Sequence, residues 1–363
     1  MLTRRAFAHL LAVAGAAAAS AALLPGCASG GVSDQGASPA GAQDAAAGAD
    51  GEQSDALAQT GETDGPLEAT EFLFDTVISL SVYGSQEALD AAVERCRFFE
   101  DTFSRTVEGS DVWRINEAAG EPVEVAAETA DIIEQALGYC ELSGGLLDIT
   151  IGSVSTLWDF KEGVKPDDDV IAEAITHIDY RGVHVENTTV WLDDPAARID
   201  LGAIAKGYIA DDLAALLGDY GVESACINLG GNVAVVGCKP DGSPWNVGVQ
   251  DPNGSAQDVV AAVQCEDASV VTSGLYERQF TEDGVLYYHI LDPRTGYPVE
   301  TDLVSTSLKT DSSTDGDAYA TMLFLMGHDE ALGLVNGDER FEGLLVDEQG
   351  AITLTDNATY TVF

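Results

Sequence analysis

The sequence predicts an α+β fold, a single domain of largely antiparallel sheets with packed helices over residues 67–363. Strand-like and helix-like segments come in clusters rather than in strict alternation, which argues against a doubly wound parallel sheet. Short hairpin connections such as Glu186-Asn187 imply antiparallel neighbours. No second linker interrupts the stretch, so it reads as one core.

The chain before that domain reads as an address. Thr3-Arg4-Arg5-Ala6-Phe7 is a twin-arginine pattern, and the apolar run 10–24 is too short and Ala-rich for a membrane span, so 1–26 is expected to be an export signal. Leu23-Leu24-Pro25-Gly26-Cys27 resembles a bacterial lipobox, which would leave Cys27 as a lipid-modified N-terminus. Residues 27–66 hold scarcely an apolar side chain larger than Ala and cannot offset ordering entropy, so they read as a flexible tether. The protein is therefore expected on the outer face of a bacterial cell membrane, held by lipid alone.

Within the domain, strand signals fall at 77–83, 183–192, 225–236, 245–249, 259–264, 286–291, 304–308 and 344–346. Helical spacing is clearest for Leu89, Ala92, Val93 and Cys96, and again for Ile133, Ala136, Leu137 and Cys140. Two more helices are expected after Lys206 and from Asp317. The cysteines past Cys27 have neither zinc nor redox spacing and read as core residues, with a Cys238–Cys265 or Cys226–Cys238 disulfide permitted by an exported location.

Charge narrows the partners. The 62 acidic against 16 basic residues give a net charge of −46, which excludes nucleic acid as a partner and means that any anionic ligand needs a local binding device. One candidate is Asp200-Leu-Gly-Ala-Ile-Ala-Lys206-Gly, where Lys206 falls at a helix start followed by Ile209, Leu213, Leu216 and Leu217 at helical spacing. Free amides at that start would suit phosphate, although the spacing is not that of a P-loop and no dinucleotide fingerprint occurs.

Four more segments are richer in Gly, Ser, Thr, Asp and His than a core requires. They are Asn228-Leu-Gly-Gly-Asn232, Thr272-Ser-Gly-Leu-Tyr-Glu-Arg278, His289-Ile-Leu-Asp-Pro-Arg-Thr-Gly296 and Asp317-Ala-Tyr-Ala-Thr321. The glycine pair would let backbone amides approach a ligand. Asp317 and Thr321, four apart, place a carboxylate and a hydroxyl on one helix face, a hard-oxygen pair suited to magnesium; a helix-dipole acid and a back-bonded Thr would give the same residues.

Taken in order, these five motifs resemble the FAD:protein FMN transferase (ApbE-type) family over essentially the whole of 67–363. The resemblance implies a single ApbE-like domain that binds FAD with magnesium and moves its FMN half through a phosphoester onto a Thr or Ser hydroxyl of an acceptor protein, releasing AMP. It also implies that Asp317 and Thr321 ligate the metal with the carbonyl of Ala203, and that Asp200, Lys206, Thr106, Leu146, Leu147, Asp148 and Leu291 contact the flavin nucleotide. His289 is the candidate base for the acceptor hydroxyl, because an ordinary imidazole titrates near 6.5. Two departures stand out: Phe74-Asp75 replaces the usual Met-Gly, adding a carboxylate beside an anionic ligand, and Thr106 stands where an aromatic is common. Two other readings share these features, an FAD pyrophosphatase in which water is the nucleophile and a non-catalytic flavin-binding lipoprotein. Retention of both Asp317 and Thr321 argues against a pure binder.

Overall fold

The structure is a computed structural model describing residues 65–255 and 257–363. The signal, Cys27 and nearly all of the tether lie outside the described residues. Eight strands form the main sheet: β1 (Leu67–Leu73), β2 (Thr76–Val82), β3 (Ala225–Leu229), β4 (Asn232–Val236), β5 (Ala268–Gly274), β6 (Leu303–Thr310), β7 (Glu342–Asp347) and β8 (Ile352–Leu354). Each pairs antiparallel with the next along the chain, so the sheet is a meander in sequence order. The other elements are inserted between its strands, except Thr361–Val362, which follows β8.

Side-chain alternation sets the layers. In β3, Ile227 and Leu229 enter one core and Cys226 another; in β4, Ala234 opposes Val233 and Val235; in β7, Leu345 opposes Leu344 and Val346. Both faces are buried, which is why these strands read as continuous apolar runs. Three helices, α1 (Gln86–Phe103), α2 (Ala205–Asp219) and α3 (Ser313–Met326), cover one face. A smaller antiparallel sheet of Trp245–Gln250, Val259–Cys265 and Thr361–Val362 covers the other.

The predicted stripe of α1 is buried at Leu89, Ala92 and Cys96, and that of helix Ala127–Leu142 at Ile133, Ala136 and Cys140. The 183–192 segment is the expected hairpin, turning at Asn187-Thr188, one residue beyond the expected Glu186-Asn187, with Asn187 at φ 56°. Two expectations need correction. The strand expected at 286–291 is Val285–Tyr288, because the chain leaves the hairpin at His289. The glycine pair Gly230-Gly231 forms the tight β3–β4 turn, at φ 65° and 98°, and Gly230 has no room for a side chain because Thr76 packs where a Cβ would lie, 2.4 Å away. It serves the sheet rather than a ligand. Among the described residues all cysteines are free: Cys96, Cys140, Cys226 and Cys265 are buried, and Cys238 is half-buried.

Candidate active site

The joint between α2 and α3 positions the proposed metal ligands. Gly207 on α2 lies so close to α3 that a Cβ there would meet Ser313 O at 2.3 Å and Asp317 Cβ at 2.8 Å. That approach lets the Gly207 N–H donate to Asp317 Oδ2 over 2.8 Å instead of reaching back one helical turn, and no hydrogen bond to the Ala203 carbonyl is present. The contact is reciprocated: Asp211 on α2 accepts from the first amides of α3, Ser313 N at 2.8 Å and Thr314 N at 2.9 Å. A carboxylate at a helix N-terminus satisfies amides that have no intrahelical partner.

These bonds correct two expectations. Helix α3 opens at Ser313 behind the cap Ser312, whose hydroxyl accepts from Asp315 N, so Asp317 lies in the second turn rather than at the start. The Ser-x-x-Asp capping spacing at 312–315 was the signal for it. At the start of α2, Ala205 N bonds Leu201 O, Tyr208 N bonds Ile204 O and Gly207 N bonds Asp317, so those amides are spent within the protein. The positive group left at that start is the Lys206 side chain, whose Nζ stands 3.8 Å from Asp317 Oδ1.

A cleft of about 250 Å³ opens beside this joint, and its walls include the residues expected to contact the flavin nucleotide, the metal and the acceptor hydroxyl: Thr106, Leu146, Leu147, Asp148, Asp200, Ala203, Lys206, His289, Leu291, Asp317 and Thr321. Thr321 Oγ1 lies 3.4 Å from Ser273 Oγ across the floor. The donor set at one end is thus a buried carboxylate, a hydroxyl and an unclaimed carbonyl. Such hard oxygens fit magnesium, which keeps several positions for water and phosphate. No cluster of three His, Cys, Asp or Glu suited to a metal occurs among the described residues, as expected for a set with one carboxylate.

The side wall is built on Asp200 and Asp148, which act differently. Asp200 Oδ2 accepts from Ser155 Oγ (2.7 Å) and pairs with Arg105 Nε (3.0 Å), while Gly202 N donates to Oδ1 (2.9 Å). Burial pushes its carboxyl up, but Arg105, Ser155, Gly202 and Arg278 outweigh that and hold it below the usual range. It stays ionised. Asp148 spends its carboxylate on the fold, accepting from Thr150 N (2.8 Å), Thr150 Oγ1 (2.5 Å) and Tyr180 N (3.0 Å). Burial pushes its carboxyl up. Thr106 is exposed at the rim, where its amide donates to Ser104 Oγ. Leu291 is buried in a satellite core with Val154 and Trp158.

Another wall comes from the residues that flank the hairpin Gln279–Glu282/Val285–Tyr288. Glu277 and Arg278 precede it and His289 follows it, with His289 N donating to Arg278 O at 3.2 Å. His289 Nε2 lies 3.8 Å from Glu277 Oε2, and its Nδ1 is buried without a partner. Burial first, then Arg278 and Lys206, push the imidazole down to about 3, so at neutral pH it is uncharged and has a nitrogen lone pair free. The ordinary value near 6.5 does not describe it. Burial pushes the Glu277 carboxyl up against the pull of Lys206 and Arg278.

The Phe74-Asp75 departure has a local remedy. Both residues take positive φ, 56° and 59°, and make the two-residue β1–β2 turn, a geometry that costs of order 1 kcal/mol or more per non-glycine residue. Phe74 N is anchored to Glu100 Oε2 at 2.6 Å, and Asp75 is paired with Lys161 at 2.8 Å. The added carboxylate thus meets a cation that sequence reading missed. Phe74, Phe103 and Phe160 line the cleft and supply the rings that Thr106 does not. Phe160 stacks on Trp158 at 5.6 Å, and Trp158 contacts Phe280 and Tyr287 of the hairpin. Arg105, Ser155 and Phe160 carried no motif, and only the fold brings them to the cleft, with Lys161 reaching it through Asp75.

Comparison with known proteins gives the family. A model of the ApbE family matches residues 74–345. The chain is 37% identical over 289 residues to the FAD:protein FMN transferase of Treponema pallidum, covering 73% of this chain and 80% of that protein. A crystal structure of an ApbE protein from Thermotoga maritima superposes with a TM-score of 0.74 at 34% identity, covering 80% of this chain and 97% of that one. The flavin transferase ApbE from Vibrio cholerae gives 0.70 at 25% identity, with the same coverage. With a match of this extent laid over an intact cleft, the chain belongs to the ApbE family.

Proposed function

We propose that this protein is an FAD:protein FMN transferase that moves the FMN half of FAD onto a Thr or Ser hydroxyl of an acceptor protein, with magnesium, and releases AMP. The observation that carries the reading is the hard-oxygen set of the Ala203 carbonyl, the Asp317 carboxylate and the Thr321 hydroxyl within one cleft that also holds Lys206 and His289. Magnesium, when bound by those three residues, would neutralise charge on the diphosphate.

The chain's own residues do the rest. Lys206 faces the diphosphate and offsets charge that grows on the AMP phosphate as it leaves. The acceptor oxygen forms a new bond to the flavin-side phosphorus while the bond from that phosphorus to the AMP oxygen breaks, and AMP departs with the electron pair. His289 receives the hydroxyl proton. Its neutral ring is ready for this, and a diphosphate opposite Lys206 and Arg278 relieves part of the repulsion that weakens it as a base. Alignment of nucleophile and leaving group supplies most of the remaining acceleration.

Incubation of the protein with FAD, magnesium and an acceptor protein, followed by intact-mass measurement, tests the reading. A gain of one FMN on the acceptor supports transfer. Free FMN and AMP without that gain would make the enzyme a pyrophosphatase. For the cellular setting, the Arg4-Arg5 signal and Cys27 support a lipid-anchored protein outside a bacterial cell membrane. Mass spectrometry of native protein should find diacylglycerol on Cys27, and a retained Met1 would refute it.

A further inference from the structure

In a chain of net charge −46, a cation without a counter-ion is a scarce thing. The other cations that line the cleft are committed, Arg105 to Asp200 at 3.0 Å and Lys206 toward Asp317 at 3.8 Å, and Lys161 beside it is paired with Asp75 at 2.8 Å. Outside the cleft, even Arg198 donates to the carbonyls of Pro195 and Ala197, and Lys239 sits over the Trp245 ring. Arg278 alone among the described lysines and arginines has a side chain with no hydrogen bond, ion pair or ring contact, and it lines the cleft.

Its backbone, by contrast, is fixed. Arg278 O accepts from His289 N, and the strand that begins at the next residue is pinned through Phe280 to Trp158 and Phe160. The guanidinium is close enough to Asp75, Asp200 and Glu277 to lower the proton affinity of each, yet it bonds none of them. A placed, charged, unpaired fork in a cleft is complementary to a planar or tetrahedral oxyanion, and Arg engages phosphate through two parallel N–H donors.

We propose that Arg278 is a phosphate-binding residue, held in reserve in the free protein for the diphosphate of the dinucleotide. The assignment rests on the reading that the cleft takes FAD. It divides the labour: Lys206 works beside the Asp317 end, and Arg278 reaches the diphosphate from the hairpin wall. Among the cations that line the cleft, Arg278 alone is not already paired with a carboxylate, so its donors are open to an incoming phosphate.

The test compares ligands with and without phosphate. Arg278→Gln and Arg278→Lys are titrated by calorimetry with FAD, ADP and riboflavin in the presence of magnesium, with thermal melting as a check on folding. Arg278→Gln should weaken FAD and ADP by about 10-fold or more, the scale of a hydrogen-bonded charge, while riboflavin binding stays unchanged. Arg278→Lys should recover part of the loss. Equal weakening of riboflavin would assign Arg278 to the flavin ring and overturn the proposal, as would unaltered FAD and ADP binding. FAD binding that holds while the KM for acceptor rises would assign it to the acceptor instead, also overturning it. Wild-type protein that binds FAD but leaves the acceptor unmodified would sink the transfer reading alone, since the ligand comparison does not depend on turnover.

Discussion

Replacing Gly207 by Ala adds one methyl group at the closest approach of α2 and α3. The new carbon would stand 2.3 Å from Ser313 O, where ordinary contact begins at 3.4 Å, so the helices must separate by about 1 Å. Overpacking of that kind costs roughly 1–3 kcal/mol, against which helix propensity returns at most about 1 kcal/mol. The functional loss should be larger. The same movement stretches the 2.8 Å bond from Gly207 N to Asp317 and shifts Lys206 relative to that carboxylate, and a misplacement of about 1 Å can cost 10²-fold in rate. Gly218 on the same helix is the internal control, because a Cβ there meets nothing within 4 Å. Gly218→Ala should stabilise the protein by roughly 0.5–1 kcal/mol and leave turnover unchanged. Denaturant unfolding and FAD turnover of both variants, measured across magnesium concentrations, would decide. If Gly207→Ala behaved like Gly218→Ala, the helix joint would not be what holds the site in register.

Asp317→Asn keeps an acceptor for the Gly207 amide but removes the charge; turnover should vanish at low magnesium while the fold survives, and full activity there would exclude Asp317 as a ligand. Thr321→Ala should raise the magnesium requirement without abolishing turnover, as measured by activity against magnesium concentration. For His289, an unfolded imidazole titrates near 6.5 and the folded one at about 3, so between those values the unfolded chain binds the extra proton and stability falls as pH drops. His289→Gln should flatten that part of the stability curve in the ligand-free protein, and an unchanged slope in denaturant unfolding would refute the assignment. Lys161→Met exposes the rim carboxylate of Asp75 to the ligand, so FAD affinity should fall several-fold with little change in melting temperature, because the pair is largely solvated.

Much of this was legible before any coordinates. The apolar stripes of α1 and of helix Ala127–Leu142 gave their buried faces directly, since tertiary packing used the same periodicity that the sequence displays. Four of the five motifs also converge on one cleft, and the fifth, Asn228–Asn232, makes a sheet turn instead. What escaped reading has a common physical cause: it depends on partners distant in sequence. Arg105 is made functional by Asp200, Lys161 by Asp75, and Asp211 by the start of α3. Strand β1 was missed because its residues alternate between half-buried and exposed at the sheet edge, with Glu68, Thr70 and Phe72 outward and Glu71 on the half-buried face, so no apolar run marked it. The histidine's ordinary titration range could not survive either, because burial and two cations reach it only after folding.

The meander has a consequence for how the protein comes apart. Cleft residues from Glu100 to Lys206 belong to the insertion between β2 and β3, whereas Glu277, His289 and Asp317 belong to insertions made after β5. The cleft is therefore a seam between an early and a late segment of the polypeptide, and neither contains a half-site able to grip a dinucleotide alone. A ligand spanning it works as a suture: opening the seam means first releasing the ligand, so occupancy should protect the hairpin and the 83–224 insertion from proteolysis together, as one unit, in proportion to the free energy of binding.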